Sequence, residues 1–205
     1  MDMRPEATIA KLNAGEAVTI VALGDSLTSG WMVARGYVDC LRDMLMIRYP
    51  RADVRIINSG IPGDTAPGGL YRLQQDAISF HPDLVMVQFA LNDAFCGCPV
   101  AEYRRSIEAI VERIRQESSA EILLLTSTLP ADADELDVPA PLYAALKDIA
   151  RDKACAIALV DEHWSDAIAG GTPHASLVLH DRVHPSEEGY RLMAEAVMSC
   201  LGVCP

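Results

Sequence analysis

The chain has 205 residues and a formal net charge of -12, from 29 acidic against 17 basic side chains. Half of it is apolar and 22% charged, the balance of a globular protein, and the length suits one domain over residues 1–205. The acidic balance speaks against nucleic acid or an anionic membrane surface as a partner.

The first apolar run, 18–23, reads as a strand and leads into Gly24-Asp25-Ser26. Tyr37, Leu41, Met44 and Leu45 then recur at helical spacing. A second strand over 54–57 is followed by Asn58-Ser59-Gly60, and Leu70, Leu73, Ala77 and Ile78 form the next helical stripe. The third strand, 84–89, leads into Ala90-Leu91-Asn92-Asp93, and Tyr103, Ile107, Ile110, Val111 and Ile114 mark a helix. A fourth strand over 121–126 runs into Thr128 and a loop over 129–141 that carries Asp132, Asp134, Glu135 and Asp137 with three prolines. Leu142, Ala145, Leu146 and Ile149 mark another helix, and the last strand is 156–160. The final helix carries Tyr190, Met193, Ala194, Val197 and Leu201, with Ser186 placed to cap it and Glu187 and Glu188 suited to its positive end.

Strands that are almost wholly apolar are expected to be covered on both faces of a parallel sheet. Their alternation with helices predicts a three-layer α/β/α domain with right-handed crossovers and about five parallel strands. In such sheets, sites form at the carboxyl ends of the strands. Ser26, Gly60 and Asn92 all follow strand ends, and Asp181 and His184 follow the last strand. A serine hydroxyl becomes a nucleophile when a histidine accepts its proton and an aspartate holds the ring in the accepting tautomer. Asp181 and His184, three residues apart and followed by Pro185, provide that acid and base. The Ser26 N–H, a Gly60 N–H with no Cβ in the way and the Asn92 amide are candidate donors to an oxyanion. Of the other histidines (His81, His163, His174 and His180), His81 precedes Pro82 at the opposite edge of the sheet and reads as structural, while His180 neighbours Asp181 but lacks a carboxylate three residues upstream.

These residues resemble the SGNH hydrolases, also called the GDSL esterase/lipase family. Gly24-Asp25-Ser26-Leu27 is similar to its first block, Asn58-Ser59-Gly60 with Gly63-Asp64-Thr65 to its second, Asn92-Asp93 to its third, and Asp181-x-x-His184-Pro185 to its last. The resemblance implies a flavodoxin-like sheet, with Ser26 as nucleophile, His184 as base and Asp181 as its orienting acid. It further implies that Ser26, Gly60 and Asn92 donate to the oxyanion. The third block usually reads Gly-x-Asn-Asp, and here the glycine is Ala90, which would be strained if its φ were positive.

The reading is therefore a serine ester hydrolase without metal or organic cofactor, acting on a small-molecule ester with a short acyl group or on O-acetylated carbohydrate. An acyltransferase with the same residues, a thioesterase or lysophospholipase, and a non-catalytic binding module are the alternatives. Trp31 and Met32 are candidate lining of an acyl pocket, and the acidic loop 132–137, if it rims the site, should disfavour anionic substrates. Cys96-Gly97-Cys98 lacks the second Cys or His pair of a metal site, and no phosphate-binding loop is present. Cys96, Cys98, Cys200 and Cys204 are read as having no role, and the six cysteines do not resemble a disulfide scaffold in a chain this long. The first twenty residues lack a continuous apolar stretch and no run of about 18 apolar residues occurs, so neither a secretory signal nor a membrane span is expected. A cytoplasmic protein with reduced thiols is the resulting expectation, and oligomeric state is not legible.

Overall fold

The computed structural model describes residues 3–131 and 137–202. Five strands, β1 (Ala17–Gly24), β2 (Asp53–Gly60), β3 (Leu84–Gln88), β4 (Glu121–Leu125) and β5 (Ala156–Ala158), form one parallel sheet in the order β2-β1-β3-β4-β5. That order is the flavodoxin-like one, in which the direction of winding reverses between β1 and β3. The helices are α1 (Glu6–Ala14), α2 (Ser26–Ser29), α3 (Tyr37–Arg48), α4 (Ala66–Asp76), α5 (Leu91–Phe95), α6 (Val100–Glu117), α7 (Ala140–Asp152), α8 (Val160–Ala169), α9 (His174–Leu177) and α10 (Glu187–Cys200).

Alternation along β1 divides the core into two layers, because successive side chains of a strand point to opposite faces. Val18, Ile20 and Ala22 pack with Tyr37 and Leu41 of α3, Trp164 of α8, and Tyr190, Met193 and Val197 of α10. Val21 and Leu23 pack with Leu73 of α4, Ile107 and Ile110 of α6, and Leu146 and Ile149 of α7. The expected helical stripes are the buried stripes of α6 and α7 and most of those of α3 and α10, whereas in α4 only Leu73 of the expected set is buried, Leu70 being half-buried and Ala77 and Ile78 lying past the helix end. Ser186 caps α10 as expected, its hydroxyl accepting from the Gly189 N–H.

Three differences have physical causes. β2 is an edge strand and only Ile56 within it is fully buried, so the expectation of cover on both faces fails there. The last strand stops at Ala158, and Val160 already belongs to α8. The helices α2 and α5, of four and five residues, are too short to display a period, while α1 and α8 each bury only two residues and so lack a full apolar stripe. Asp132, Asp134 and Glu135 of the acidic loop, and Cys204, lie outside the described residues. Among the described residues, no helix is long and apolar enough to cross a membrane.

Register places the site. Gly24 pairs with Gly60 on one side and Gln88 on the other, Gln88 with Leu125, and Leu125 with Ala158. All five strands therefore end on one level, and the segments leaving β1, β2 and β3 emerge side by side at the reversal of winding.

Candidate active site

β1 runs without a loop into α2, and Asp25 at the junction caps the helix, its Oδ1 accepting from the Leu27 N–H at 2.9 Å. Asp25 takes the capping role, so the Ser26 hydroxyl is left for other work. Ser26 Oγ lies 3.0 Å from His184 Nε2, and His184 Nδ1 lies 2.7 Å from Asp181 Oδ2. Two residues 158 apart in sequence are thus in hydrogen-bond contact. With Asp181 accepting the Nδ1 proton, Nε2 is left as the lone-pair nitrogen facing the serine.

Asp181 and His184 ride on a short hairpin. Val178 and Pro185 form an antiparallel bridge, and the Leu179 N–H donates to the His184 carbonyl at 2.7 Å. Arg182 sits at the tip with φ of 62°. Its main chain and guanidinium bond reciprocally with Ala131, which ties the hairpin to the segment after β4. Asp181 Oδ1 accepts from the main-chain N–H groups of Val183 and His184, both at 3.0 Å. Partial burial pushes the Asp181 carboxyl up, but those two N–H groups and the His184 ring outweigh it and hold it below its ordinary value. Of the other described histidines, His180 directly precedes Asp181, His174 Nε2 faces the Leu129 carbonyl, His163 Nε2 lies 3.6 Å from Glu195 Oε2, and His81 precedes the amino end of β3.

Gly60 ends β2 on the level of Gly24, and Asn92 lies in α5, just past the end of β3. Asn92 Nδ2 donates to the Asp64 carbonyl at 2.9 Å, which engages one of its two amide protons and fixes the plane of the other. Asp93, next in sequence, accepts from the Ala66 N–H at the start of α4. Burial pushes its carboxyl up to about 6 against the pull of that N–H. The Gly60 N–H is already engaged, donating to Asn58 Oδ1 at 3.0 Å, while Asn58 Nδ2 holds the Thr28 carbonyl at 2.8 Å. The bond is exposed to solvent, so the N–H is open to a second acceptor. The reason for glycine here differs from the expected one. A Cβ at position 60 would sit 2.2 Å from the Ser29 nitrogen, so the missing side chain lets α2 lie against the end of β2. Ala90 has φ of 153° and is fully buried, so the alanine that replaces the usual glycine is indeed strained.

Next to Ser26 lies a polar floor that sequence reasoning missed. Gln88, fully buried at the end of β3, donates from Nε2 to Asp25 Oδ2 at 3.2 Å and to Ser127 Oγ at 2.8 Å. Its Oε1 accepts from the Thr28 hydroxyl at 2.9 Å, which also meets the Tyr37 hydroxyl. Burial pushes the Asp25 carboxyl up to about 7, partly offset by the Leu27 N–H and the Gln88 amide. The signal available in the sequence was Gln88 itself, a polar residue in an otherwise apolar strand. Trp31, Met32, Ile61 and Phe95 lie beyond the same strand ends and are exposed beside these groups.

Main-chain and amide donors on one level, a hydroxyl bonded to an imidazole, and an imidazole bonded to a carboxylate form the equipment for nucleophilic attack on a carbonyl. The sequence agrees with that class. The model of the GDSL-like Lipase/Acylhydrolase family matches residues 22–192, and the chain belongs to that family. Esterase TesA of Pseudomonas aeruginosa is 32% identical over 116 residues, which is 56% of this chain and 56% of that protein. An arylesterase of Vibrio mimicus is 30% identical over 54% of this chain and 55% of its own length, so the chain spans about half the length of both relatives. An acetylxylan esterase of Geobacillus stearothermophilus is 23% identical over 94% of this chain and 96% of that protein. The solved structure of that bacterium's Axe2, also named an acetylxylan esterase, superposes with a TM-score of 0.81 at 21% identity, covering 94% of this chain and 97% of Axe2, a likeness of fold.

Proposed function

We propose that the chain is a serine carboxylic-ester hydrolase. The observation that carries this reading is the continuous line from Asp181 through His184 to Ser26 at the carboxyl edge of the sheet. His184 Nε2 takes the Ser26 hydroxyl proton as Oγ attacks the ester carbonyl carbon, and the carbonyl π pair moves onto oxygen. The Ser26 N–H lies in the first turn of α2, where no intrahelical acceptor exists. Together with the Gly60 N–H and the free proton of the Asn92 amide, it donates to the oxyanion. Collapse breaks the ester C–O bond, and the imidazolium gives its proton to the leaving alkoxide. Water then repeats the sequence on the acyl-enzyme, with His184 as base, and returns the acid and free Ser26. Asp181 stabilises the imidazolium throughout.

Short acyl groups suit the exposed approach beside Trp31, Met32 and Ile61. The relative that aligns along nearly the whole chain bears the name acetylxylan esterase, which favours O-acetylated carbohydrate among small esters. His184 accepts the Ser26 proton only as the neutral imidazole, with Nε2 carrying the lone pair. The direct test is hydrolysis of p-nitrophenyl acetate, butyrate and octanoate by the wild type and Ser26→Ala. A loss of about 1000-fold or more in the variant, with acetate preferred, is expected. Equal activity of the two proteins would overturn the reading.

A further inference from the structure

Arg72 stands on α4 with its side chain 11% exposed and bonded to the segments that carry Ser26, Gly60 and the Asn92 contact. Its Nε donates to Asp64 Oδ2 at 2.7 Å, and its Nη1 to the Ser59 carbonyl at 2.7 Å and to Asp76 Oδ2 at 3.2 Å. Its Nη2 donates to the Gly24 carbonyl at 2.9 Å. Gly24 is two residues before Ser26, and Ser59 immediately precedes Gly60. Asp64 offers its own carbonyl to Asn92 Nδ2 at 2.9 Å. One guanidinium therefore reaches the segment that carries each of the three oxyanion donors.

The guanidinium carries five donors, and its two carboxylates take only two of its bonds. Here two of the four bonds go to main-chain carbonyls at the ends of adjacent strands, at and just before the last register pair, Gly24 with Gly60. The Gly24 carbonyl also accepts from the Ile61 N–H at 3.0 Å, so the strand junction is closed by main chain and guanidinium together. A planar fork with five donors in fixed directions can hold acceptors from two strands and a turn at set angles, and an ammonium cannot.

We infer that Arg72 is a positioning residue that sets the spacing between the Ser26 N–H, the Gly60 N–H and the Asn92 amide without touching the substrate. The inference rests on the ester-hydrolase reading and deepens it. An oxyanion hole acts through donors held in advance where charge develops, and displacements of about 1 Å can cost on the order of 100-fold in rate. Loss of Arg72 should therefore lower kcat while leaving KM close to its wild-type value, because the ester in its ground state places little charge on the carbonyl oxygen.

The test uses a fluorophosphonate, which needs no knowledge of the natural ester. Ser26 Oγ forms a bond to phosphorus, fluoride leaves, and the phosphoryl oxygen takes the oxyanion's place. Intact mass should record one label on the wild type and none on Ser26→Ala. An unlabelled wild type would overturn the ester-hydrolase reading and this inference with it. Given a labelled wild type, Arg72→Ala and Arg72→Lys should label on the order of 100-fold more slowly. Both should also turn over p-nitrophenyl acetate with reduced kcat and KM within about threefold of wild type. Methylguanidinium should restore at least about tenfold of the lost rate in Arg72→Ala, where urea at the same concentration does not. Should Arg72→Ala fail to fold, Arg72→Lys decides by the same labelling rate. Labelling of a folded variant at the wild-type rate, a loss in Arg72→Ala that methylguanidinium leaves untouched, or unfolding of both variants would each overturn the positioning role.

Discussion

Asp181 and His184 stand on a surface hairpin whose bonds mostly join residues a few positions apart, whereas Ser26 adjoins a floor of fully buried polar groups drawn from the β1–α2 junction, β3, α2, α3 and the segment after β4. The hairpin needs only Asp181, three residues from His184, to orient the ring, and both side chains keep some exposure to water. The floor needs Gln88 to bond Asp25, Thr28 and Ser127 at once, with no water to substitute for a lost partner. Changes on the hairpin should therefore alter the rate and spare the fold. Changes on the floor should alter stability and its dependence on pH.

The largest expected effect is on the hairpin. In Asp181→Asn the amide oxygen can still accept from the Val183 and His184 N–H groups, but the amide nitrogen faces His184 Nδ1 and forces the proton onto Nε2. kcat should fall on the order of 10⁴-fold with melting temperature nearly unchanged, and a stability loss matching the rate loss would break the contrast. The floor should answer differently. Asp25 is pushed to about 7 from an ordinary 3.8, so the folded state holds a proton that the unfolded chain releases at lower pH. The contribution of Asp25 to stability is then largest below about pH 4 and declines as pH rises towards 7, by on the order of 4 kcal/mol. Asp93, raised to about 6, adds to the decline with the same sign over a narrower window.

Asp25→Asn, with the Gln88 amide turned over to meet it, should remove most of that slope in urea titrations across the range. An unchanged slope would contradict the buried-carboxylate account. Asn92→Ala is expected to cost about 100- to 1000-fold in kcat, as loss of one oxyanion donor does. Its own bond to Asp64 makes a small stability loss the accompanying sign. The smallest effect is a gain: Ala90→Gly should relieve the positive φ, for a net stabilisation of about 1 kcal/mol after the entropy of glycine is subtracted. In a chain of this size that is a rise of about 2–4 °C in thermal unfolding, and a fall would show the backbone there to be relaxed.

The same division explains what the sequence disclosed. Five apolar runs and five helical stripes gave the layers, because burial on both sides of a sheet leaves a pattern in composition. Ser26, Gly60, Asn92, Asp181 and His184 were legible as candidates because each falls in a short motif at or after a strand end. Asp25 as helix cap, Gln88 as the centre of the floor and Arg72 as the clamp were not, since their partners lie 2 to 63 residues away and no spacing announces them. Only the polarity of Gln88 inside an apolar strand hinted at the floor. The crowding of Gly60 against Ser29 was likewise invisible, because a close approach of two backbones leaves no mark in sequence beyond the glycine itself.

The measurement that tests the central claim most directly is acid quench of the enzyme during turnover of p-nitrophenyl acetate, followed by mass analysis of the peptide containing Ser26. A single acetyl group on Ser26, formed in a burst of p-nitrophenol and absent from Ser26→Ala, is the predicted result. Turnover with no acyl group on Ser26, at a rate that Ser26→Ala shares, would contradict the account.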